Sequence, residues 1–148
     1  MAVERIVVRV QVGEGLMAAS DDPFFLRLVG PSGREFRLSL AHGKSLRRGR
    51  EDVYRLAAPG DDPNIEHPEL NDPTVPPLAL AGIERVVLVK GLDPMPNVRG
   101  VGELDDRLLI DDASVAIEGD GQTVRFARQG PIWLGLICGM SVELERQG

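Results

Sequence analysis

Near its N-terminus the chain reads Arg5-Ile6-Val7-Val8-Arg9-Val10-Gln11-Val12, and this pattern indicates the fold class. Ile6, Val8 and Val10 fall on one face of an extended chain, while Arg9 and Gln11 fall on the other. Successive side chains of a β-strand point to opposite faces, so a strand with one buried face shows this period of two. The stretch therefore predicts a half-buried strand.

The same alternation, or a short apolar run, returns along the rest of the chain. Gly30-Pro31-Ser32-Gly33 and Gly119-Asp120-Gly121 have the composition of tight turns between strands. The unbroken apolar run at 86–89 predicts a strand that is covered on both faces. No segment shows three turns of helical periodicity. Further strands are predicted over residues 24–29, 35–40, 51–56, 83–90, 108–110, 114–118, 123–126, 133–137 and 141–145.

The length of 148 residues suits one domain that folds without cross-links. Periodicity is lost at about 59–80, where proline, aspartate and asparagine predict a long internal loop. Short strands at this spacing, separated by turns, are typical of sandwiches. We therefore expect a single all-β domain over residues 1–148, an antiparallel β-sandwich of about eight strands.

Charge and cysteine content limit the partners and the compartment. Acidic residues outnumber basic ones by 23 to 17, a formal charge of −6, which disfavours non-specific nucleic-acid binding. We expect no nucleic-acid partner. The N-terminus shows no leader pattern, and no run approaches the ~20 apolar residues of a membrane span. The single Cys138 lies in an apolar run and predicts a buried thiol. We therefore expect a soluble, cytoplasmic protein.

Short motifs follow one another in a recognisable order over roughly residues 6–134. They are the opening strand 6–12, the loop Ala18-Ala19-Ser20-Asp21-Asp22, the strand 25–30 that ends in glycine, the turn Arg48-Gly49-Arg50-Glu51-Asp52-Val53-Tyr54, the glycine-led strand 82–90, the segment 108–117, Phe126 and Trp133-Leu134. This order resembles the PLAT family, also called the lipoxygenase-homology domain. The resemblance implies an eight-stranded antiparallel sandwich that binds lipids or proteins, sometimes with calcium.

A calcium site is the first candidate that the resemblance implies. Asp21 and Asp22 lie in the loop after the first strand, and Asp93 lies in a later loop. Calcium takes several oxygen ligands, which loop carboxylates supply. Leu16 and Met17 stand on the same first loop, so they could enter a membrane surface beside the ion. A solvated turn in which an aspartate caps backbone amides is the alternative.

One dense basic cluster is the second candidate: Lys44, Arg47, Arg48 and Arg50. These side chains could contact phosphate headgroups or an acidic partner. A charged strand edge that discourages aggregation is the alternative explanation. We expect Asp52 to hold this turn through its carboxylate and local amides.

Catalytic chemistry finds little support in the sequence. Only His42 and His67 could serve as a base, and neither has a recognisable nucleophile beside it. The carboxylates of Asp105-Asp106 and Asp111-Asp112 are adjacent in sequence, so on a strand each pair would point to opposite faces. The acidic loop 61–69 fits no compact zinc pattern. We expect that the domain is not an enzyme.

A non-catalytic binding module that engages a membrane lipid surface or a protein partner is therefore the leading functional prediction. A structural or oligomerisation subunit, acting as a homo-oligomer, is one alternative. A carbohydrate-binding jelly-roll is another, although one tryptophan and one tyrosine make a poor aromatic platform. An enzyme with a carboxylate-based site in the long loops is the last.

Overall fold

The computed structural model describes residues 2–14, 23–31, 33–91, 107–135 and 139–147. Within these ranges all regular structure is β, apart from short 3-10 turns at Pro59–Asp61 and Leu80–Gly82. No helix in the described ranges is long and apolar enough to cross a bilayer. The strands are β1 Arg5–Val12, β2 Phe24–Val29, β3 Arg34–Arg37, β4 Glu51–Ala57, β5 Arg85–Lys90, β6 Leu108–Gly119, β7 Gln122–Leu134 and β8 Ser141–Gln147.

The eight strands form one curled sheet in the order β3-β2-β5-β8-β7-β6-β1-β4, and every neighbouring pair is antiparallel. Strand β8 pairs with β5 on one side and with β7 on the other, so it joins the two halves of the sandwich. One hydrophobic cluster receives side chains from all eight strands. The predicted all-β antiparallel sandwich is confirmed.

The burial of individual strands follows the sequence pattern. On β1 the residues Ile6, Val8 and Val10 are fully buried, as the period of two predicts. On β5 both Val86 and Val87 are buried although they point to opposite faces, which confirms a strand covered on both sides. The core is mainly aliphatic because the chain has few aromatic residues, 4% of the total.

The sequence prediction was wrong about the length of β6 and β7. Residues 108–110 and 114–118 belong to one strand, and so do 123–126 and 133–134. The register shifts between Ile110 and Asp112, and this irregularity breaks the alternation that the sequence displays. Gly130 allows the backbones of β6 and β7 to approach closely at this point, since a Cβ at this position would lie 2.1 Å from the carbonyl oxygen of Ile110. Gly130-Pro131 lies inside β7.

Strand β3 is also shorter than the predicted 35–40, because the chain changes its pairing partner. It ends at Arg37, and Leu40 then forms a bridge with Ile65. Ile65 is 2% exposed and anchors the segment between β4 and β5 to the core. The Asn64 side chain accepts a hydrogen bond from the backbone N–H of Arg55 over 2.6 Å. This segment therefore packs beside the residues that follow β3.

Candidate functional site

Eight strand ends meet at one end of the sandwich, which we call the loop end: the last residues of β1, β3, β5 and β7 and the first residues of β2, β4, β6 and β8. Backbone hydrogen bonds connect the segments there. The N–H of Gly49 donates to the carbonyl of Gly13 over 3.0 Å, and the N–H of Gly13 donates to Leu109 over 2.9 Å. The N–H of Gly91 donates to Pro23 over 2.7 Å.

The basic turn, defined as residues 44–50, lies at the loop end. Its cationic side chains Lys44, Arg47, Arg48 and Arg50 are therefore presented together by one connection. Lys44 and Arg48 are exposed, and Arg47 and Arg50 are partly buried. No acidic residue occurs between Leu38 and Arg50. The turn is thus a local positive patch on a chain whose formal charge is −6.

A buried carboxylate holds the basic turn in place. Asp52 is 2% exposed and accepts a hydrogen bond from the backbone N–H of Leu46. It also accepts the Nε–H of Arg50 over 2.8 Å and the hydroxyl of Tyr54 over 3.2 Å. The predicted role of Asp52 is confirmed. Arg50 is committed to this carboxylate, so Lys44 and Arg48 are the more accessible cations of the turn.

Leu46 shows how firmly the turn is fixed. Its φ is +58°, a conformation that a bulky residue rarely adopts and that costs on the order of 1 kcal/mol. Burial of its side chain, 2% exposed, and the hydrogen bond to Asp52 keep it there. Burial also raises the pKa of the Tyr54 hydroxyl, and a hydrogen bond from Ser45 opposes that shift in part. Tyr54 therefore remains a protonated donor to Asp52.

A cleft of about 230 Å³ opens beside the basic turn. Lys44 belongs to both features. Arg37 was not recognised as a candidate from the sequence, and Glu66 was considered only as part of the acidic loop 61–69. No local signal could have identified them, because the three charged residues come from three separate segments. Their proximity depends on the bridge between Leu40 and Ile65.

The candidate calcium and membrane-insertion residues Leu16, Met17, Asp21, Asp22 and Asp93 lie outside the described residues. Cys138 and the Asp105-Asp106 pair lie outside them as well. Among the residues that the structure describes, no group of three or more histidine, cysteine, aspartate or glutamate side chains could hold a metal ion. The first candidate loop lies between Glu14 and Pro23, and the second lies between Gly91 and Arg107. All four of these flanking residues lie at the loop end.

The carboxylates considered for catalysis occupy exposed positions. Asp111 and Asp112 are both exposed on β6, next to its register shift. In the acidic loop Asp61, Asp62 and His67 are exposed, and Asp62 forms a 3.8 Å ion pair with Arg55. Such exposed pairs contribute little to stability. Glu66 of the acidic loop lines the cleft beside the basic turn, whereas Asp61, Asp62, His67, Asp111 and Asp112 do not.

The described aromatic residues do not form a carbohydrate platform. Tyr54 is fully buried. Trp133 is partly buried, and the guanidinium of Arg107 lies 5.3 Å from the centre of its ring. A shallow groove of about 590 Å³ crosses the outer face between β6, β7 and β8, and its lining includes Asp112, Ser114 and Glu145. None of the described residues that line it is aromatic. This polar groove therefore lacks the stacking surface expected of a sugar site.

Comparisons with known proteins identify the fold. No family model matches the sequence, and no curated protein matches it. The structure is similar to an alpha toxin from Clostridium absonum, with a TM-score of 0.63 and 14% identity over 97% of this chain and 32% of the toxin. It is also similar to the Clostridium perfringens alpha-toxin, with a TM-score of 0.65 and 15% identity over 98% of this chain and 32% of that one.

A third similar structure is that of coral 8R-lipoxygenase, with a TM-score of 0.60 and 12% identity over 96% of this chain and 17% of the lipoxygenase. That lipoxygenase is described as activated by calcium through a C2-like domain. The chain thus spans about a third of the toxins and about a sixth of the lipoxygenase. At these identities the likeness concerns the fold alone. It agrees with the PLAT-like sandwich that the motif order implies.

Proposed function

We propose that this domain is a non-catalytic binding module that attaches to a phospholipid surface through its loop end. The observation that carries the proposal is the basic turn, where exposed Lys44 and Arg48 stand beside Arg47 on a backbone fixed by buried Asp52. A rigid cationic turn loses little conformational freedom when it meets phosphate groups. Each basic residue near an anionic membrane contributes about 1 kcal/mol.

Calcium is the second element of the proposal. Asp21, Asp22 and Asp93 belong to connections whose described flanks lie at the loop end, together with the basic turn. A calcium ion held by these carboxylates would add positive charge toward the same surface. Leu16 and Met17 would supply the apolar side chains that enter the lipid. The calcium activation described for coral 8R-lipoxygenase through its C2-like domain supports testing this ion first.

Sedimentation with phospholipid vesicles tests the attachment. The informative variant is the double substitution Arg47→Gln/Arg48→Gln, which removes two charges from the basic turn. Its matched control is Arg125→Gln/Arg146→Gln, which removes two exposed arginines distant from the loop end. Loss of about 2 kcal/mol would weaken binding to anionic vesicles roughly 30-fold in the first variant. Equal binding by the two variants, both folded, would refute a role for the basic turn.

The same assay with calcium and with a chelator tests the ion. The variant Asp21→Asn/Asp22→Asn should lose any calcium-dependent part of binding and keep the part that the basic turn supplies. Titration calorimetry on the protein alone gives a second measurement that needs no membrane. If calorimetry detects no heat of calcium binding at millimolar calcium while the protein still binds vesicles, calcium is excluded from the proposal. The electrostatic attachment through the basic turn would then remain supported.

Self-association is the second candidate function, and a different surface favours it. Leu70 and Val75 are 70% and 65% exposed, and among the described residues they are the large hydrophobic side chains left most open to solvent. Both lie in the segment between β4 and β5. A contiguous exposed apolar patch marks a protein contact, and these two residues lie near each other because the Arg34 guanidinium donates to the carbonyls of both. Sedimentation equilibrium of Leu70→Ser/Val75→Ser against the unaltered chain tests it, since a monomer in both cases would exclude it.

A further inference from the structure

The cleft beside the basic turn carries charges of both signs on its rim. Arg37 and Lys44 supply two cations and Glu66 supplies a carboxylate, and all three side chains are exposed. None of the three charged groups forms an ion pair with any other residue that the structure describes. The rim therefore offers separate positive and negative contacts to a ligand that enters a volume of about 230 Å³.

Backbone contacts fix the carboxylate side of the cleft. The N–H of Glu66 donates to the carbonyl of Ser39 over 2.8 Å, and the hydroxyl of Ser39 donates to the Glu66 carboxylate. One step along the chain, Leu40 and Ile65 form an isolated bridge. Glu66 is thus oriented before any ligand arrives, which lowers the entropic cost of binding.

The cationic side is fixed in a similar way. The backbone N–H of Arg37 donates to the side-chain oxygen of Asn71 over 2.8 Å. Lys44 precedes Ser45, whose hydroxyl accepts the N–H of Leu40 over 3.0 Å. The floor beneath these residues is apolar and closed, because Phe24, Leu38 and Leu46 are each at most 2% exposed.

We propose that this cleft recognises a phosphate ester bearing a primary ammonium group, the chemistry of phosphoethanolamine. The phosphate would lie between the Arg37 guanidinium and the Lys44 ammonium, which are the side chains suited to phosphate oxygens. The ligand's ammonium would donate to the Glu66 carboxylate. The inference rests on the proposed membrane attachment and specifies which headgroup that attachment selects.

Two related headgroups fit the cleft less well. A quaternary ammonium has no N–H to donate and is normally held against aromatic faces. Among the residues that the structure describes, the one aromatic ring that lines this cleft is Phe24, which is 1% exposed in its floor. A serine headgroup brings a second carboxylate next to Glu66, where like charges repel. A headgroup without an ammonium leaves Glu66 facing the bound phosphate.

Vesicle binding with matched headgroups tests the selection. Vesicles of phosphatidylcholine are compared with vesicles in which part of that lipid is replaced by phosphatidylethanolamine, so that the net charge is unchanged. The unaltered protein should prefer ethanolamine by about three- to fivefold, the scale of an exposed ion pair. Glu66→Gln should abolish the preference. Glu69→Gln, an exposed carboxylate of the same segment outside the cleft, should retain it.

Titration of the protein with soluble glycerophosphoethanolamine, followed by amide NMR, separates the outcomes. Shifts centred on residues 37–46 and 65–66, absent with glycerophosphocholine and lost in Arg37→Gln, would support the cleft even if vesicles did not bind. The source would then be a soluble phosphoethanolamine compound, and membrane attachment would fail. Vesicle binding that depends on Arg47 and Arg48 but shows no ethanolamine preference would overturn the cleft assignment and leave the membrane attachment intact.

Discussion

The backbone N–H of Leu46 donates a hydrogen bond to the Asp52 carboxylate, across the turn that carries Lys44, Arg47, Arg48 and Arg50. The acceptor is 2% exposed, and the donor residue has a φ of +58°. A strained backbone position and a buried carboxylate therefore stabilise each other. The backbone that presents Lys44 and Arg48 to solvent therefore depends on the Asp52 carboxylate, which is itself buried.

Replacing Asp52 tests that dependence. Asp52→Asn removes the charge that accepts from Leu46, Arg50 and Tyr54, so the free energy of unfolding in urea should fall by about 1–3 kcal/mol. Glu51→Gln is the matched control, because its ion pair with Arg9, 3.4 Å long, is largely exposed. The control should lose less than about 1 kcal/mol. Similar losses in both variants would contradict the role of Asp52.

Tyr54 predicts an alkaline limit to stability. Burial raises the pKa of its hydroxyl in the folded protein, whereas the unfolded chain ionises near pH 10. Above that pH the folded state retains a proton that the unfolded state loses. This contribution is therefore complete below about pH 10 and is lost as pH rises. Tyr54 is the single tyrosine, so tyrosinate absorbance should appear only with unfolding. Tyrosinate in the folded protein at pH 10 would contradict this.

Arg34 should hold the segment between β4 and β5 against β3. Its guanidinium donates to the carbonyls of Val75 over 2.9 Å and Leu70 over 3.2 Å, and also to that of Asp72. A lysine cannot span these acceptors in one plane. Arg34→Lys should lower stability by about 1–2 kcal/mol and speed amide exchange in residues 70–75.

The control for Arg34 is Arg27→Lys. Arg27 forms an exposed 2.8 Å ion pair with Glu35 on the neighbouring strand, and its loss should change stability by less than about 1 kcal/mol. If exchange in residues 70–75 were equally fast in both variants, Arg34 would not be the anchor of the segment.

Gly130 should be intolerant of any side chain. A Cβ there would approach the carbonyl oxygen of Ile110 to 2.1 Å, so Gly130→Ala must shift the backbone of β6 or β7. We expect a loss of about 1–3 kcal/mol in thermal unfolding. Gly60→Ala is the control, because beyond its two chain neighbours no atom lies within 4 Å of a Cβ at that position. A fully stable Gly130→Ala variant would show that the two strands diverge there.

Membrane attachment through the basic turn should depend on salt. The Debye length falls from ~10 Å at about 0.1 M to ~3 Å at about 1 M ionic strength, which screens exposed Lys44 and Arg48 from lipid phosphates. Vesicle binding measured by sedimentation should weaken across this range. Apolar insertion does not weaken with salt, so binding that persists unchanged would indicate attachment through apolar side chains.

The local features of this protein follow from its amino-acid sequence alone. The period of two identified Ile6, Val8 and Val10 as core residues because alternation is a property of each strand alone. The role of Asp52 was equally predictable, since its carboxylate acts within one turn of the chain. The motif order implied the PLAT-like architecture that the solved toxin and lipoxygenase structures share.

Which distant residues come into contact could be learned from the three-dimensional structure alone. Strand β6 continues through its register shift opposite Gly130, although the sequence there resembles a break between two strands. The tertiary structure also brings Glu66 beside Ser39 and into one cleft with Arg37 and Lys44. Contacts of this kind depend on the path of a long connecting segment and on the strand edge against which it packs. Neither of these produces a periodic pattern in the local sequence.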